Sequence, residues 1–213
     1  MYKLFYSPGS AAMAPHAILA ETGAKYELIK IDDDKNEQKS ADYLKYNPHG
    51  RVPTLIYDGD KVMYESAAIC LFLTERHPGA GLAPAPGHAD RGLFLQWIAY
   101  LTNTVQEDLM HWWHADYYIH GGQQQAELKA VAEARLGRMF GFLDGELAGR
   151  GPNLCGASFY ACDIYLAMLA RWTRRMLKPA TSGTPHLKRL VEIAMARPGY
   201  AKMLRDEGIE QTV

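Results

Sequence analysis

Short apolar runs alternate with a helical pattern at the start of the chain. Residues 2–6 and 25–31 have the pattern of strands, and residues 12–21 between them have the pattern of a helix that Gly23 stops. A strand, a helix and a second strand in this order predict a βαβ unit.

A second group of apolar runs predicts a hairpin followed by a helix. Residues 54–57 and 61–64 flank a tight turn at residues 58–60, which contains a glycine between two aspartates. An apolar helical pattern then covers residues 66–77. Together with the βαβ unit, this order predicts a small mixed sheet with helices.

The rest of the chain has helical periodicity and no evident strand. Apolar residues follow helical spacing over 97–109 and 136–147, and residues 161–176 are apolar on nearly all sides until Arg171. We therefore predict two long amphipathic helices and one buried central helix, followed by shorter helices near residues 185–196 and 199–207.

One segment without hydrophobic periodicity divides the chain into two predicted domains. Residues 79–88 are rich in Pro, Gly and Ala and have no periodicity, which is typical of a linker. The predicted organisation is an α/β domain over residues 1–78, this linker, and an all-α domain over residues 89–213.

Composition limits the classes of partner. The 213 residues are 48% hydrophobic, and 23 Lys and Arg balance 24 Asp and Glu, so neither nucleic acid nor a membrane is an expected partner. No apolar run approaches the roughly 20 residues of a membrane span, and we expect a cytoplasmic protein. The three cysteines lack a CxxC spacing and are expected to be reduced and mostly buried: Cys70, Cys155 and Cys162.

The stretch from residue 47 to 73 has the features of a binding site. Pro53 lacks an N–H and forces Val52 to be extended, so the Val52 backbone can pair with an extended peptide. Ser66 is predicted to be the N-cap of a helix whose first N–H groups attract a carboxylate, and Glu65 beside it suits an ammonium group. A hairpin, a capped helix and a solvated acid are the alternative, but the combination favours a site for a small peptide.

Four motifs in this order resemble the glutathione transferase family, most closely its bacterial beta-type enzymes. They are LFYSPG at 4–9 with Pro15-His16, NPHGRVP at 47–53, ESAAI at 65–69, and residues 156–166 with Asp163. The resemblance covers essentially the whole chain. It implies a thioredoxin-like first domain, an all-helical second domain, a cis Val52–Pro53 bond and a homodimer.

The resemblance also implies glutathione as the co-substrate and assigns contacts to it. The cysteinyl backbone would pair with Val52, the γ-glutamyl carboxylate would bind at Ser66, and Glu65 would help to hold the amine. Lys35 or Lys39 would reach the glycyl carboxylate, although two solvated lysines are the alternative.

The catalytic position departs from the beta-type pattern. That pattern places a cysteine, usually followed by serine, where this chain has Ala11-Ala12. A thiol with a pKa of roughly 8.5 needs a donor that stabilises its thiolate. Tyr6 and Ser10 are the candidates, with Ser7 third, and capping of the helix is the alternative role for Ser10. Gln106 also replaces a histidine that beta-type enzymes often carry in the second domain.

Two features of the second domain carry further expectations. The aromatic segment 111–118 would line the pocket of a hydrophobic electrophile in this family, and core or dimer packing is the alternative. His111 and His114 have helical metal-ligand spacing without a third ligand, so no metal site is expected. Asp163 is expected to accept from the N–H of Tyr160, although Tyr160 replaces the usual Ser or Thr of a capping box.

The expected function is that of a glutathione S-transferase, which conjugates the thiol of glutathione to hydrophobic electrophiles. One alternative is a glutathione-binding carrier of apolar ligands with little turnover. Another is a glutathione-dependent peroxidase or reductase, for which the loss of the cysteine makes disulfide exchange an unfavourable route.

Overall fold

The computed structural model describes residues 1–210, which form two compact units. Within the described residues, the first unit contains Met1–Ala83 and residues 195–210, and the second contains Pro84–Ala194. No helix in residues 1–210 is long and apolar enough to cross a membrane.

The sheet of the first unit has four strands in the order β2-β1-β3-β4. The strands are β1 (Tyr2–Tyr6), β2 (Tyr26–Lys30), β3 (Thr54–Tyr57) and β4 (Lys61–Tyr64). β1 pairs parallel with β2 and antiparallel with β3, and β3 pairs antiparallel with β4. The predicted fold class, an α/β thioredoxin-like domain followed by an all-α domain, is confirmed.

The α-helices agree with the apolar periodicity except where the backbone departs from the α-helical repeat. In chain order they are α1 (Met13–Thr22), α2 (Ala41–Leu44), α3 (Ser66–Arg76), α4 (Arg91–Tyr100), α5 (Glu107–Trp113), α6 (Gly122–Arg150), α7 (Ala161–Trp172), α8 (Pro185–Ala196) and α9 (Pro198–Asp206). The predicted helix over 97–109 is divided, because a π-helical stretch, Leu101–Gln106, separates α4 from α5. The short α2 has no prediction to match it.

The two faces of the sheet bury different side chains. Leu4 and Leu55 are paired across β1 and β3 and are fully buried. Because side chains alternate along a strand, Phe5 lies on the opposite face, where it packs with Ile31 and Tyr43.

Helix α9 belongs to the first unit, whereas the sequence predicted residues 89–213 as a single helical domain. Its Gly199 lies so close to α1 that an added Cβ would be 2.4 Å from the Glu21 side chain and 2.9 Å from the Ala17 carbonyl oxygen. The Glu21 carboxylate accepts from the Gly199 N–H at 2.9 Å and pairs with Arg197 at 2.7 Å. Periodicity shows that a segment is helical, but it does not show which partner its apolar face meets.

Asp163 connects the start of α7 to the loop before it. Its carboxylate accepts from the Leu154 N–H and the Tyr160 N–H, each at 2.8 Å, and the side chain is fully buried. The expected acceptor role toward Tyr160 is therefore confirmed. The Tyr160 hydroxyl donates to Asp90 at 3.1 Å, away from the helix N-terminus.

Replacing Asp163 with alanine should leave two buried N–H groups without their acceptor. We expect Asp163→Ala to lower the free energy of unfolding by about 3 kcal/mol in urea titrations. The exposed Asp34 provides the control, and Asp34→Ala should change stability by less than about 0.5 kcal/mol. Equal effects of the two substitutions would contradict the assigned role.

Candidate functional site

The backbone at Val52 lies beyond the paired part of the sheet. The Val52–Pro53 peptide bond is cis, as the resemblance implied. Pro53 directly precedes β3, and the pairing of β3 with β1 begins at Thr54, which lies opposite Phe5. The Val52 backbone is thus outside the β1–β3 ladder, where an added extended segment can pair with it.

A buried polar network holds both sides of this cis bond. The Arg51 carbonyl accepts from the Tyr43 hydroxyl at 2.7 Å and from the Asn47 amide at 2.8 Å. The Tyr43 oxygen also lies 2.8 Å from the Thr54 hydroxyl. Burial raises the pKa of Tyr43 to about 12, so its hydroxyl remains a donor at neutral pH. Sequence reasoning missed Tyr43, because α2 has no pattern of its own.

Helix α3 begins one residue earlier than predicted. Glu65 is the N-cap, and Ser66 is the first helical residue. The first bond of the helical ladder runs from the Ile69 N–H to the Glu65 carbonyl, so the N–H groups of residues 66–68 precede that ladder. The predicted position of Ser66 as N-cap is therefore corrected.

The Ser66 side chain has a longer-range partner that explains this difference. Its hydroxyl donates to the Ala11 carbonyl at 2.7 Å and does not cap its own helix. This bond brings the first turn of α3 next to the turn that leads into α1.

Glu65 has a backbone conformation that is uncommon for a residue with a side chain. Its φ is +74°, in the region that favours glycine. Such positions cost of order 1–3 kcal/mol and concentrate at functional sites. Glu65 is also exposed, so its carboxylate is accessible beside the open end of α3.

The turn formed by residues 7–12 contains the candidate donors to a thiol. The Ser10 hydroxyl oxygen accepts from the Ala12 N–H at 3.2 Å within the turn, and no side chain caps the N-terminus of α1. The hydroxyl proton of Ser10 is not used in that bond and can be donated elsewhere. Ser7 is buried, and its carbonyl accepts from the Ser10 N–H at 3.1 Å.

Tyr6 ends β1 directly before this turn and is buried. Burial raises the pKa of its hydroxyl, and the negative charges of Glu207 and Asp206 raise that pKa further. At neutral pH Tyr6 is therefore a protonated hydrogen-bond donor. Sequence reasoning missed the two acids, since they lie some two hundred residues away in sequence.

The two candidate lysines have different surroundings. The Lys35 ammonium group pairs with Asp32 at 2.8 Å, and its side chain is largely exposed. The Lys39 ammonium group donates to the His49 carbonyl at 3.1 Å, in the loop that leads to Val52.

Comparison with known proteins identifies the family. The N-terminal domain family of glutathione S-transferases matches residues 1–75, and the C-terminal domain family matches residues 106–198. The chain belongs to the glutathione S-transferase family.

Three relatives illustrate the similarity. The chain is 26% identical to glutathione S-transferase GstA of Escherichia coli O157:H7 over 98% of this chain and all of that protein. A sphingomonad glutathione S-transferase solved in complex with glutathione is 32% identical, with a TM-score of 0.85, over 98% of this chain and 100% of the other. The beta-class enzyme of Sphingomonas chungbukensis is 27% identical, with a TM-score of 0.84 and the same coverage.

The aromatic segment of this glutathione S-transferase family member is partly anchored by hydrogen bonds. The Trp112 indole donates to Glu133 and the Trp113 indole donates to the Trp172 carbonyl, each at 3.1 Å. Both bonds are typical of packing. Tyr117 and Tyr118 are 55% and 44% exposed, and the Tyr118 hydroxyl donates to Glu107 at 3.1 Å.

Gln106 has a fixed amide orientation. Its carbonyl oxygen accepts from the Tyr165 hydroxyl at 2.5 Å. Because that oxygen is engaged, the amide NH₂ is the end that can donate.

Metal ligands are not grouped in the described chain. Within residues 1–210 no three or more His, Cys, Asp or Glu side chains are placed to hold a metal ion. His111 instead lies 3.7 Å from Glu107 and 3.5 Å from Asp108.

Loss of the Tyr43 hydroxyl should weaken the loop that holds the cis bond. We expect Tyr43→Phe to lower the free energy of unfolding at neutral pH by about 1–2 kcal/mol, because Thr54 loses its buried partner. Tyr46→Phe is the matched control, since Tyr46 is 39% exposed.

This stability difference should depend on pH in one direction. Unfolded Tyr43 ionises near its ordinary pKa of 10.0, whereas the folded residue stays protonated to about 12. The advantage of the wild type over Tyr43→Phe is therefore complete below pH 10.0 and declines as pH rises toward 12. A constant difference across that window in denaturant titrations would contradict the burial of this hydroxyl.

Proposed function

We propose that the protein binds glutathione in its first unit and conjugates it through its thiol to hydrophobic electrophiles. The observation that carries this proposal is the Ser66–Ala11 bond, which brings the open N-terminal turn of α3 to the turn of residues 7–12. The cis Val52–Pro53 edge supplies a backbone partner in the same unit. Support comes from the sphingomonad relative, which was solved with glutathione.

Each part of the tripeptide has a chemically matched partner. The γ-glutamyl carboxylate would accept from the N–H groups at residues 66–68, where the helix dipole also favours an anion. The exposed Glu65 carboxylate would pair with the ammonium group, and the cysteinyl backbone would pair with Val52 and Pro53 as an added strand. Charge and backbone geometry thus agree with glutathione.

The catalytic role falls to hydroxyl donors in our proposal, because Ala11 and Ala12 cannot supply a thiol. Tyr6 is protonated at neutral pH and would stabilise the glutathione thiolate by donating a hydrogen bond. Ser10 would donate the hydroxyl proton that its contact with the Ala12 N–H leaves available. In both cases the residue acts as a donor and not as a base.

The reductase alternative is disfavoured by the state of the cysteines. Cys70, Cys155 and Cys162 are buried, and burial raises the pKa of Cys70 and Cys162 above the ordinary range. Disulfide exchange requires an accessible thiolate, which these residues do not provide. The carrier alternative differs from the transferase in one measurable quantity, the turnover of an electrophile.

We further propose that the protein acts as a cytoplasmic homodimer, as the family resemblance implies. Gel filtration with light scattering would test the dimer. A monomeric mass at micromolar concentration would contradict it.

Removal of either the Tyr6 or the Ser10 hydroxyl should slow the conjugation reaction. With a chlorinated aromatic electrophile, we expect Tyr6→Phe or Ser10→Ala to lower kcat/KM by roughly 10-fold to 100-fold, because one hydrogen bond to the thiolate is lost. Ser7→Ala is the comparison in the same turn and should have the smaller effect.

Two outcomes would contradict the assignment. If the wild type turns over the electrophile and neither variant slows it, the donors are wrong. If the wild type does not bind glutathione in calorimetry at millimolar ligand, the proposed function itself is wrong.

Binding of the glycyl carboxylate of glutathione should depend more on Lys39 than on Lys35. We expect Lys39→Ala to weaken glutathione binding by roughly 3-fold to 10-fold in calorimetry, because Lys39 contacts the loop before Val52. Lys35→Ala should change affinity less, since Lys35 already pairs with Asp32. The reverse order would assign the contact to Lys35.

A further inference from the structure

A buried carboxylate at the end of the C-terminal helix reaches the turn of residues 7–12. Glu207 directly follows α9, and its side chain is completely buried. One carboxylate oxygen accepts from the Gly9 N–H at 2.9 Å, and the other lies 2.9 Å from Nδ1 of His16. A carboxylate is rarely buried to this degree unless its oxygens are paired, and here both have partners.

His16 extends this connection through α1. Its ring is fully buried, and a proton on Nδ1 lets the ring donate to the Glu207 carboxylate. The other ring nitrogen, Nε2, lies 3.4 Å from the carboxylate of Asp206. Two acids at the end of the chain therefore face one histidine in the first helix.

The contact acts on the backbone of the turn itself. Gly9 has a φ of +77°, and its N–H is fixed by Glu207 between Tyr6 and Ser10, the two proposed donors. Tyr6 is within the field of the same acids, and its ring centre is 6.2 Å from that of His16. The charged and titratable groups near Tyr6 include Glu207, Asp206 and His16. Lys202 is bonded to Asp206, and the ring centre of Tyr26 lies 5.6 Å from that of His16.

We propose that Glu207 is a positioning residue, whose carboxylate holds Gly9 and His16 so that the hydroxyls of Tyr6 and Ser10 are directed at the glutathione sulfur. This inference rests on the proposed function of the first unit. Glu207 does not contact the sulfur, and it acts through the turn.

The chain contains a matched carboxylate that makes the same kind of contact elsewhere. Glu21, at the other end of α1, also joins α1 to the C-terminal segment, through Gly199 and Arg197. Both acids bind one backbone N–H and one side chain across the same pair of helices. Glu207 alone of these two touches the turn of residues 7–12, so a purely structural role predicts the same effect at both positions.

Two substitutions of Glu207 distinguish the effect of side-chain length from the effect of charge. Glu207→Asp keeps the charge but withdraws the carboxylate by about 1.5 Å, the length of one carbon–carbon bond. Glu207→Gln keeps the reach, because its oxygen can accept from Gly9 while its NH₂ donates to His16 in the other tautomer. Glu21→Asp is the control with the same change of length.

The experiment uses the full chain and three measurements. They are kcat/KM with a chlorinated aromatic electrophile against pH, the ultraviolet absorbance of the bound glutathione thiolate against pH, and stability in urea. We expect Glu207→Asp to lower kcat/KM by roughly 10-fold to 100-fold, as displaced catalytic groups do. The midpoint of thiolate formation should move to higher pH by about half a unit or more, because a displaced donor stabilises the thiolate less.

Glu207→Gln and the control Glu21→Asp test whether the position of the carboxylate explains the effect of Glu207→Asp. Glu207→Gln should recover at least about 3-fold of the kcat/KM that the aspartate variant loses. Glu21→Asp should lose stability to a similar extent as Glu207→Asp, while its pH profile matches the wild type.

Each other outcome overturns the inference. Equal kinetic effects of Glu21→Asp and Glu207→Asp would show that Glu207 only docks the helix. A pH shift in Glu207→Gln with none in Glu207→Asp would show that charge, and not position, is what matters. If Glu207→Asp does not fold while Glu207→Gln and the wild type share one pH profile and rate, the residue has a structural role only. Failure of the wild type to bind glutathione would instead refute the proposed function.

Discussion

The bond from the Ser66 hydroxyl to the Ala11 carbonyl is the constraint on which the first unit depends most. It ties the start of α3 to the start of α1, which are separated by 55 residues along the chain. Without it, the open end of α3 would lose its side-chain hydrogen bond to the turn of residues 7–12. A serine whose sequence position predicts a helix cap therefore makes a long-range hydrogen bond.

Two further hydrogen bonds constrain the turn of residues 7–12. Glu207 accepts from Gly9, and Ser10 accepts from Ala12, so the backbone of the turn is held on both sides of Ala11. A rigid turn matters because the usual cysteine is absent. A hydroxyl donor stabilises a thiolate only when its direction is fixed.

Local chemistry made part of this structure predictable from sequence. The alternation at residues 54–57 and 61–64 indicates the hairpin, because side chains in a strand have a period of two. The acceptor role of Asp163 follows from its spacing to residue 160, which one helical turn brings together. The family resemblance supplied the cis Val52–Pro53 bond, which no local pattern indicates.

Other features depend on partners that no spacing reveals. Serine is a common helix cap, but in the tertiary structure the Ser66 hydroxyl donates to the distant Ala11 carbonyl. The pairing of His16 with Glu207 spans 191 residues, and Tyr43 is recognised as a site residue only once its oxygen is seen between Arg51 and Thr54. The π-helical stretch Leu101–Gln106 interrupts an apolar repeat that is otherwise regular. Such contacts follow from packing across the fold, which periodicity does not encode.

The return of the C-terminal helix to the first unit has a consequence for biosynthesis. A ribosome delivers β1, α1 and the turn between them before the second unit, and α9 and Glu207 only after it. The first unit is thus assembled from both ends of the chain, with contacts of very high sequence separation, and such contacts form late in folding. The turn of residues 7–12 therefore gains its contact with Glu207 only after residues 84–194 have been synthesised.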